Sequence, residues 1–351
     1  ETTGNVVNDS AVVTLKYVSG GYGKIYLTNS VNEFVGQLYY DSARQGPGTY
    51  GATGSGCTYT NDSRFAGSGV LTVRGVDSAW ITDGDGDWSA AGNWLGGLIP
   101  TNDSSTAYFT NSIGADRSVN VDYAALNIAN LWFGSPLNNW FITNNIINVT
   151  NGITTPTIMV SNNTATISSS ITGQQGFRKY GSGTLIVAGP TNTFGPVILN
   201  EGLLTLTGGT NTLAGALTVL GGAASATCAV DGVTTITNGN PTSIIGNANL
   251  DRSVLLVNTN LTAYKIFAGY ANGSAGAVIQ NGGSVSISPA LSGTDVLSLG
   301  ANAGYGYYRM NGGLLAVGQL GAGSGVGSGN TGVFDMNSGV VNVPAAGGWP
   351  P

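Results

Sequence analysis

Val278-Ile279-Gln280-Asn281-Gly282-Gly283-Ser284-Val285-Ser286-Ile287 is followed by Tyr308-Arg309-Met310-Asn311-Gly312-Gly313-Leu314-Leu315-Ala316-Val317 and by Phe334-Asp335-Met336-Asn337-Ser338-Gly339-Val340-Val341-Asn342-Val343. From Val278 to Tyr308 to Phe334 the pattern recurs at 30 and then 26 residues. A repeat of that size marks a stacked architecture, in which each unit buries its apolar face only against its neighbours. The Asn-Gly-Gly or Asn-Ser-Gly in each copy supplies residues that tolerate positive φ, as a sharp corner requires. The run after each corner alternates with period two, so Val285 and Ile287, Leu315 and Val317, and Val341 and Val343 are expected to face the core. Ser284 and Ser286, Leu314 and Ala316, and Val340 and Asn342 then face out. Stacked corners bring Asn281, Asn311 and Asn337 into a ladder of amides along the axis.

Working outward, similar strands read at Thr184–Val187, Leu203–Leu206 and Leu217–Val219, each close to Gly. The 351 residues include 57 Gly, and only 8% are charged. Disorder needs more charge than this, and helices are disfavoured where Gly, Asn, Ser and Thr dominate. The chain is therefore expected to be all-β, a parallel β-solenoid (β-helix) with an additional N-terminal β-rich region. Ten of the seventeen acidic residues lie before position 116, after which charge thins out. The expected divisions are a β-rich region at 1–78, a Trp-rich segment at 79–115 and a solenoid at 116–351. Strands ~4.8 Å apart would make the last part a rod on the order of 50 Å long.

A family resemblance follows from three further stretches. Lys179-Tyr180-Gly181-Ser182-Gly183-Thr184-Leu185-Ile186-Val187-Ala188-Gly189, then Asn192-Thr193-Phe194-Gly195 and Asn200-Glu201-Gly202-Leu203-Leu204, resembles the autotransporter-associated β-strand repeat. That repeat runs from a Gly-x-Gly-Thr-Leu strand through an Asn-Thr-aromatic-x-Gly turn to a second strand; here Gly195 follows Phe194 directly. Asp87-Trp88-Ser89-Ala90-Ala91-Gly92-Asn93-Trp94 resembles the module-opening segment of such surface proteins. The run from Gly46 to Val73 resembles their module-closing segment. The closing segment comes first, so the chain reads as the tail of one module joined to the body of the next. The resemblance implies a secreted β-solenoid passenger or surface protein.

Chemistry is sparse. There is no His, which removes the commonest general base and the usual zinc sites. A polysaccharide-degrading β-helix could still use two carboxylates about 5 to 9.5 Å apart. After residue 115 the chain offers Asp116, Asp122, Glu201, Asp231, Asp251, Asp295 and Asp335, mostly isolated beside turns. Asp83, Asp85 and Asp87 alternate with Gly and could offer hard oxygen ligands to Ca²⁺. No Glu completes an EF-hand loop there, and a solvated acidic turn is the competing reading. No other cofactor is suggested.

Trp80, Trp88, Trp94, Trp132 and Trp140, with Tyr39 and Tyr40, read as an aromatic cap on an open end of the stack or, alternatively, as a sugar-stacking platform. Cys57 and Cys228 allow at most one disulfide, and Cys228 reads as an interior filler. The net charge of −6 with scattered Lys and Arg offers no basic stripe, so nucleic acid is not an expected partner. No apolar run approaches the length of a membrane helix. Glu1-Thr2-Thr3-Gly4 shows no signal segment, and the chain reads as a mature or excised piece of a secreted protein. Acceptor sequons at Asn8, Asn61, Asn102, Asn148, Asn162, Asn260 and Asn272 fit a surface protein.

The expected function is that of a non-catalytic extracellular structural protein, a subunit or module of a fibre or sheath at the cell surface. The alternative is a carbohydrate-binding adhesin module with surface glycans as partners. A solenoid that stops exposes a sheet edge and an apolar cross-section. The N-terminal region of one copy is therefore expected to meet the C-terminal turns of the next, head to tail. Val13 and Leu15 would lie on one side of that contact, with Val341, Val343 and Trp349 on the other.

Overall fold

The computed structural model describes residues 7, 11–28, 31–46, 48–73, 75–151, 154–222, 224–237, 241–287, 296–323 and 329–343. From Ser78–Ala79 to Val340–Asn342, 29 strands join in one sheet, and from Thr157–Val160 onward each strand pairs with the third strand along. That offset makes a solenoid with three faces to a turn. Thr157–Val160, Phe177–Tyr180 and Val197–Leu199 stack on the first face. Thr164–Ile167, Thr184–Val187 and Gly202–Leu206 stack on the second. Ile171–Gly173, Thr191–Phe194 and Thr210–Leu213 stack on the third. All of these pairings are parallel, as a chain coiling in one sense requires.

Alternation along the strands sets the core. Leu185 and Val187, Leu204 and Leu206, and Leu217 and Val219 are fully buried, whereas Thr184, Ile186, Leu203 and Thr205 point away from the axis. One apolar cluster runs unbroken from Trp80 to Val317. Every turn therefore packs on the one before and the one after, which is how a chain with few charges and many small residues stabilises a long object.

The Asn-Gly-Gly repeats fold as expected. Val285, Ile287, Leu315 and Val317 are buried, and Val341 packs on the core from its edge. Val343 departs from the pattern at 49% exposed, because no turn is stacked beyond Val340–Asn342 among the described residues. The positive φ falls on the second residue after each Asn, at Gly283 (65°), Gly313 (88°) and Gly339 (114°), and not on the Asn itself. A Cβ on Gly313 would collide with the carbonyl oxygen of Gly283 in the turn before. Gly313→Ala is thus expected to cost more than Asn311→Leu, whose loss of amide hydrogen bonds costs about 1 kcal/mol. Chemical denaturation of the two variants checks the order.

The N-terminal region has a core of its own, built from Leu15, Leu27, Val35, Leu38, Tyr50, Phe65, Leu71 and Val73. Its strands form small sheets, among them Val12–Leu15 beside Gln37–Tyr40 and Asn32–Val35 beside Val70–Val73. Arg64 is its hub, with its guanidinium 2.9 Å from Asp41 Oδ2, 4.2 Å from the Tyr22 ring and bonded to the Leu15 carbonyl. The Trp-rich segment supplies the first strands of the large sheet, and its helical content is two short 3-10 turns at Ala91–Asn93 and Leu95–Gly97. Among the described residues no helix is long and apolar enough to cross a membrane.

Candidate functional site

The corner between the second and third faces carries the amide ladder. Asn337 Nδ2 donates to Asn311 Oδ1 (2.8 Å), Asn311 to Asn281 (2.9 Å), Asn281 to Asn258 (2.7 Å) and Asn258 to Asp231 Oδ1 (2.5 Å). With the Asn337 amide turned over, its oxygen instead accepts from Arg309 Nη2 at 2.7 Å. The three expected members therefore belong to a longer column. Asn258 and Asp231 escaped sequence reading because no Gly-Gly follows them, although both stand directly after a strand ending in buried Val. Asp231 can only accept, so it fixes the donor direction of the rungs that follow.

Two buried polar side chains plug corners from inside. Lys179 is fully buried, and its Nζ donates to the carbonyls of Gly181, Gly183 (2.5 Å) and Glu201 (2.9 Å). Gln280 does the same at the ladder corner, donating to the carbonyls of Gly282, Gly283 and, at 3.0 Å, Leu314, while its oxygen accepts from the Tyr308 hydroxyl at 2.7 Å. Such corners turn carbonyls inward, and a buried carbonyl without a donor is costly. The signal was present in sequence: Phe177 faces in, so Lys179, two residues on, must face in as well.

Burial lowers the Lys179 pKa from 10.5 to about 8, with the Glu201 carboxylate opposing the shift. Between those two values the unfolded chain binds more protons than the folded one, so this group's contribution to stability rises with pH across the window. The melting temperature of the native chain relative to Lys179→Met is expected to climb from about pH 8 to about pH 10.5. A gap that does not change with pH would contradict a buried ammonium.

Asn192 and Asn211 form a second, interior ladder. Asn192 Nδ2 donates to Asn211 Oδ1 at 2.9 Å, and its own oxygen accepts from the Ile171 amide at 2.9 Å. The stretch Asn192-Thr193-Phe194, expected as a turn, lies in the strand Thr191–Phe194, with Asn192 and Phe194 both inward. The physical reason is that Phe194 stacks over Leu213 in the next turn, which holds the segment extended.

Each carboxylate of the acidic run has a partner of its own on the next turn. Asp83 accepts from the Gly114 amide (3.1 Å) and Arg117 Nε (2.9 Å), Asp85 from the Ser118 amide (2.7 Å) and Asp87 from Asn120 Nδ2 (2.7 Å). Each carboxylate braces a different point on the next turn, and Arg117 and the Gly114 amide hold Asp83 below the usual carboxylate range. Among the described residues no three His, Cys, Asp or Glu side chains group closely enough to hold a metal. Asp83, Asp85 and Asp87, the residues expected to offer ligands to Ca²⁺, are thus each a partner of the neighbouring turn.

The same holds further along. Asp116 accepts from the Asn139 amide (2.8 Å), Asp122 from the Ser89 amide (3.0 Å) and Glu201 from the Gly181 amide (2.7 Å). Asp251, 2% exposed, accepts from the amides of Gly222, Asn247 and Ala248 at 2.7 to 2.8 Å. Asp335 accepts from the Tyr307 hydroxyl at 2.8 Å. Asp295 lies outside the described residues.

Trp80, Trp88 and Trp94 are buried and close the N-terminal end of the solenoid around Phe109, with ring centres 5.6 to 6.1 Å from it. Trp140 joins them from the next turns at 5.3 Å. Trp88 Nε1 donates to the Pro100 carbonyl (2.9 Å) and Trp94 Nε1 to the Trp88 carbonyl (2.7 Å). These indoles form a cap and offer no face to a sugar; Trp132 is 37% exposed.

The expected assembly residues are divided. Leu15 is 7% exposed inside the N-terminal core, and Val13, partly buried, packs against that core. Val341 is half-buried, Val343 is exposed, and Trp349 lies outside the described residues. Cys57 and Cys228 are both free, and burial, with Asp231 nearby, pushes the Cys228 thiol up to about 12. No family model, curated protein or solved structure matches this chain.

Proposed function

We propose that the chain is a non-catalytic structural β-solenoid, a subunit or repeat module of an extracellular surface fibre or sheath assembled head to tail. The observation that carries this reading is the continuity of its two longitudinal elements, the apolar core from Trp80 to Val317 and the amide column from Asp231 to Asn337. Both run along the axis, the direction in which a fibre is loaded. The carboxylates from Asp116 to Asp251 brace corners, which supports a framework role over a hydrolytic one.

The last stacked turn supports assembly. Val340 is 60% exposed, and Val333, Met336 and Val343 are exposed beside it. Strands Gln319–Ala322, Thr331–Met336 and Val340–Asn342 have one edge without a partner among the described residues. Unpaired parallel edges with apolar side chains are templates for a further chain. With Leu15 committed to its own core, the N-terminal contribution comes from the outer edge of Val12–Leu15, which has no strand partner among the described residues. A contact between unlike surfaces that does not close propagates as a filament.

Sedimentation velocity over a wide concentration range tests this. Species growing with concentration are expected for the native chain, and a small species at all concentrations for Val340→Lys combined with Val341→Lys. Identical behaviour of the two would overturn the reading.

A further inference from the structure

We propose that the second face carries a binding slot for uronic acid residues of an acidic glycan, at the level of the strand Ala275–Gln280. This stands apart from the assembly reading and survives its failure. The register sets Arg252, Ala275 and Tyr305 in one column and Val254, Ala277 and Tyr307 in the next. Small side chains thus form a floor between larger ones on the turns before and after, and the result is an open cavity of about 330 Å³ lined by these residues. Its walls stand two strand spacings apart, ~9.6 Å between backbones, and the two tyrosines are ~6.8 Å apart along one wall.

Those dimensions and surfaces select the occupant. Tyr305 is 46% exposed, and the apolar C–H face of a pyranose can pack on such a ring. The Tyr307 hydroxyl is anchored on Asp335 Oδ2, which fixes the second ring. Arg252 is exposed, and no carboxylate pairs with it among the described residues, in a chain of net charge −6. A guanidinium presents parallel donors that match a carboxylate. A ring-sized aromatic wall facing that unpaired cation across the slot fits a sugar that carries its own carboxylate, and a neutral sugar would leave Arg252 unused. A second hollow of about 800 Å³ adjoins at Ser225, which lines both, and continues along the face past Leu256 and Leu203 to Asp231, whose carboxylate accepts from Asn258 Nδ2. The ligand is therefore a chain of sugars.

Calorimetric titration of the full chain with tetragalacturonate, with neutral galactotetraose as comparator, tests the proposal. Binding of the acidic tetramer is expected at micromolar to millimolar Kd, weakening as salt is raised. Tyr305→Ala should weaken it about tenfold or more, and Arg252→Gln should bring it to the level of the neutral tetramer. Unchanged melting curves show that the variants fold. Absence of binding to the acidic tetramer, equal binding of both tetramers by the native chain, or retention of native affinity by both variants would overturn the proposal. So would a hexaglutamate peptide binding as tightly as the acidic sugar, since a charge patch alone would then suffice.

Discussion

Val317→Asp is expected to destabilise the C-terminal turns by on the order of 3–5 kcal/mol, because it buries a carboxylate with no partner between stacked strands. Val317 is 1% exposed and lies in register over Ile287, which in turn lies over Ala263. The same substitution at Val343, an exposed edge position, and at Ser286, an outward one, should shift stability by less than about 1 kcal/mol. Thermal melts give the ranking, and amide hydrogen exchange should show faster opening of Ser284–Ile287 and Leu314–Val317 in Val317→Asp alone. Because a solenoid is stabilised turn by turn, opening should be local to the C-terminal end and leave the Trp-capped end protected. Equal shifts at all three positions would mean that the inward assignment is wrong.

Trp88→Ala is the second large effect, with about 3–5 kcal/mol lost at the opposite end. The substitution empties the space between Phe109 and Trp94, whose rings lie 5.6 and 5.1 Å from Trp88, and strands the Pro100 carbonyl. Trp132→Ala, at a partly exposed ring set edge-on against Tyr108, should cost far less. Near-ultraviolet circular dichroism reports the loss of the rigid indole cluster, and melts give the size of the loss. Similar costs at Trp88 and Trp132 would contradict a buried cap.

What could be read from sequence was what is local. An Asn-Gly-Gly corner and the alternation after it lie within ten residues, so the buried set from Val285 to Val317 and the three-rung amide ladder were legible. Contacts between turns depend on register over 19 to 33 residues, which varies from corner to corner. That is why Asp83, Asp85 and Asp87, each bonded to a different point of the next turn, read as a group although they act singly. Lys179 and Asn192 were hidden differently: parity points both inward, but a charged or amide side chain argues for the outside until the corner carbonyls it serves are seen. The slot beside Tyr305 needs three successive turns in register and could not be read from any one of them. In the N-terminal region, many strands are only two residues long, too short to show a period.

The central claim is that this solenoid is an axial element that propagates end to end, and electron microscopy of the full chain at high concentration tests it most directly. The account predicts filaments whose length grows with concentration and whose growth Val340→Lys with Val341→Lys abolishes. Monodisperse short particles of the native chain at every concentration would contradict it.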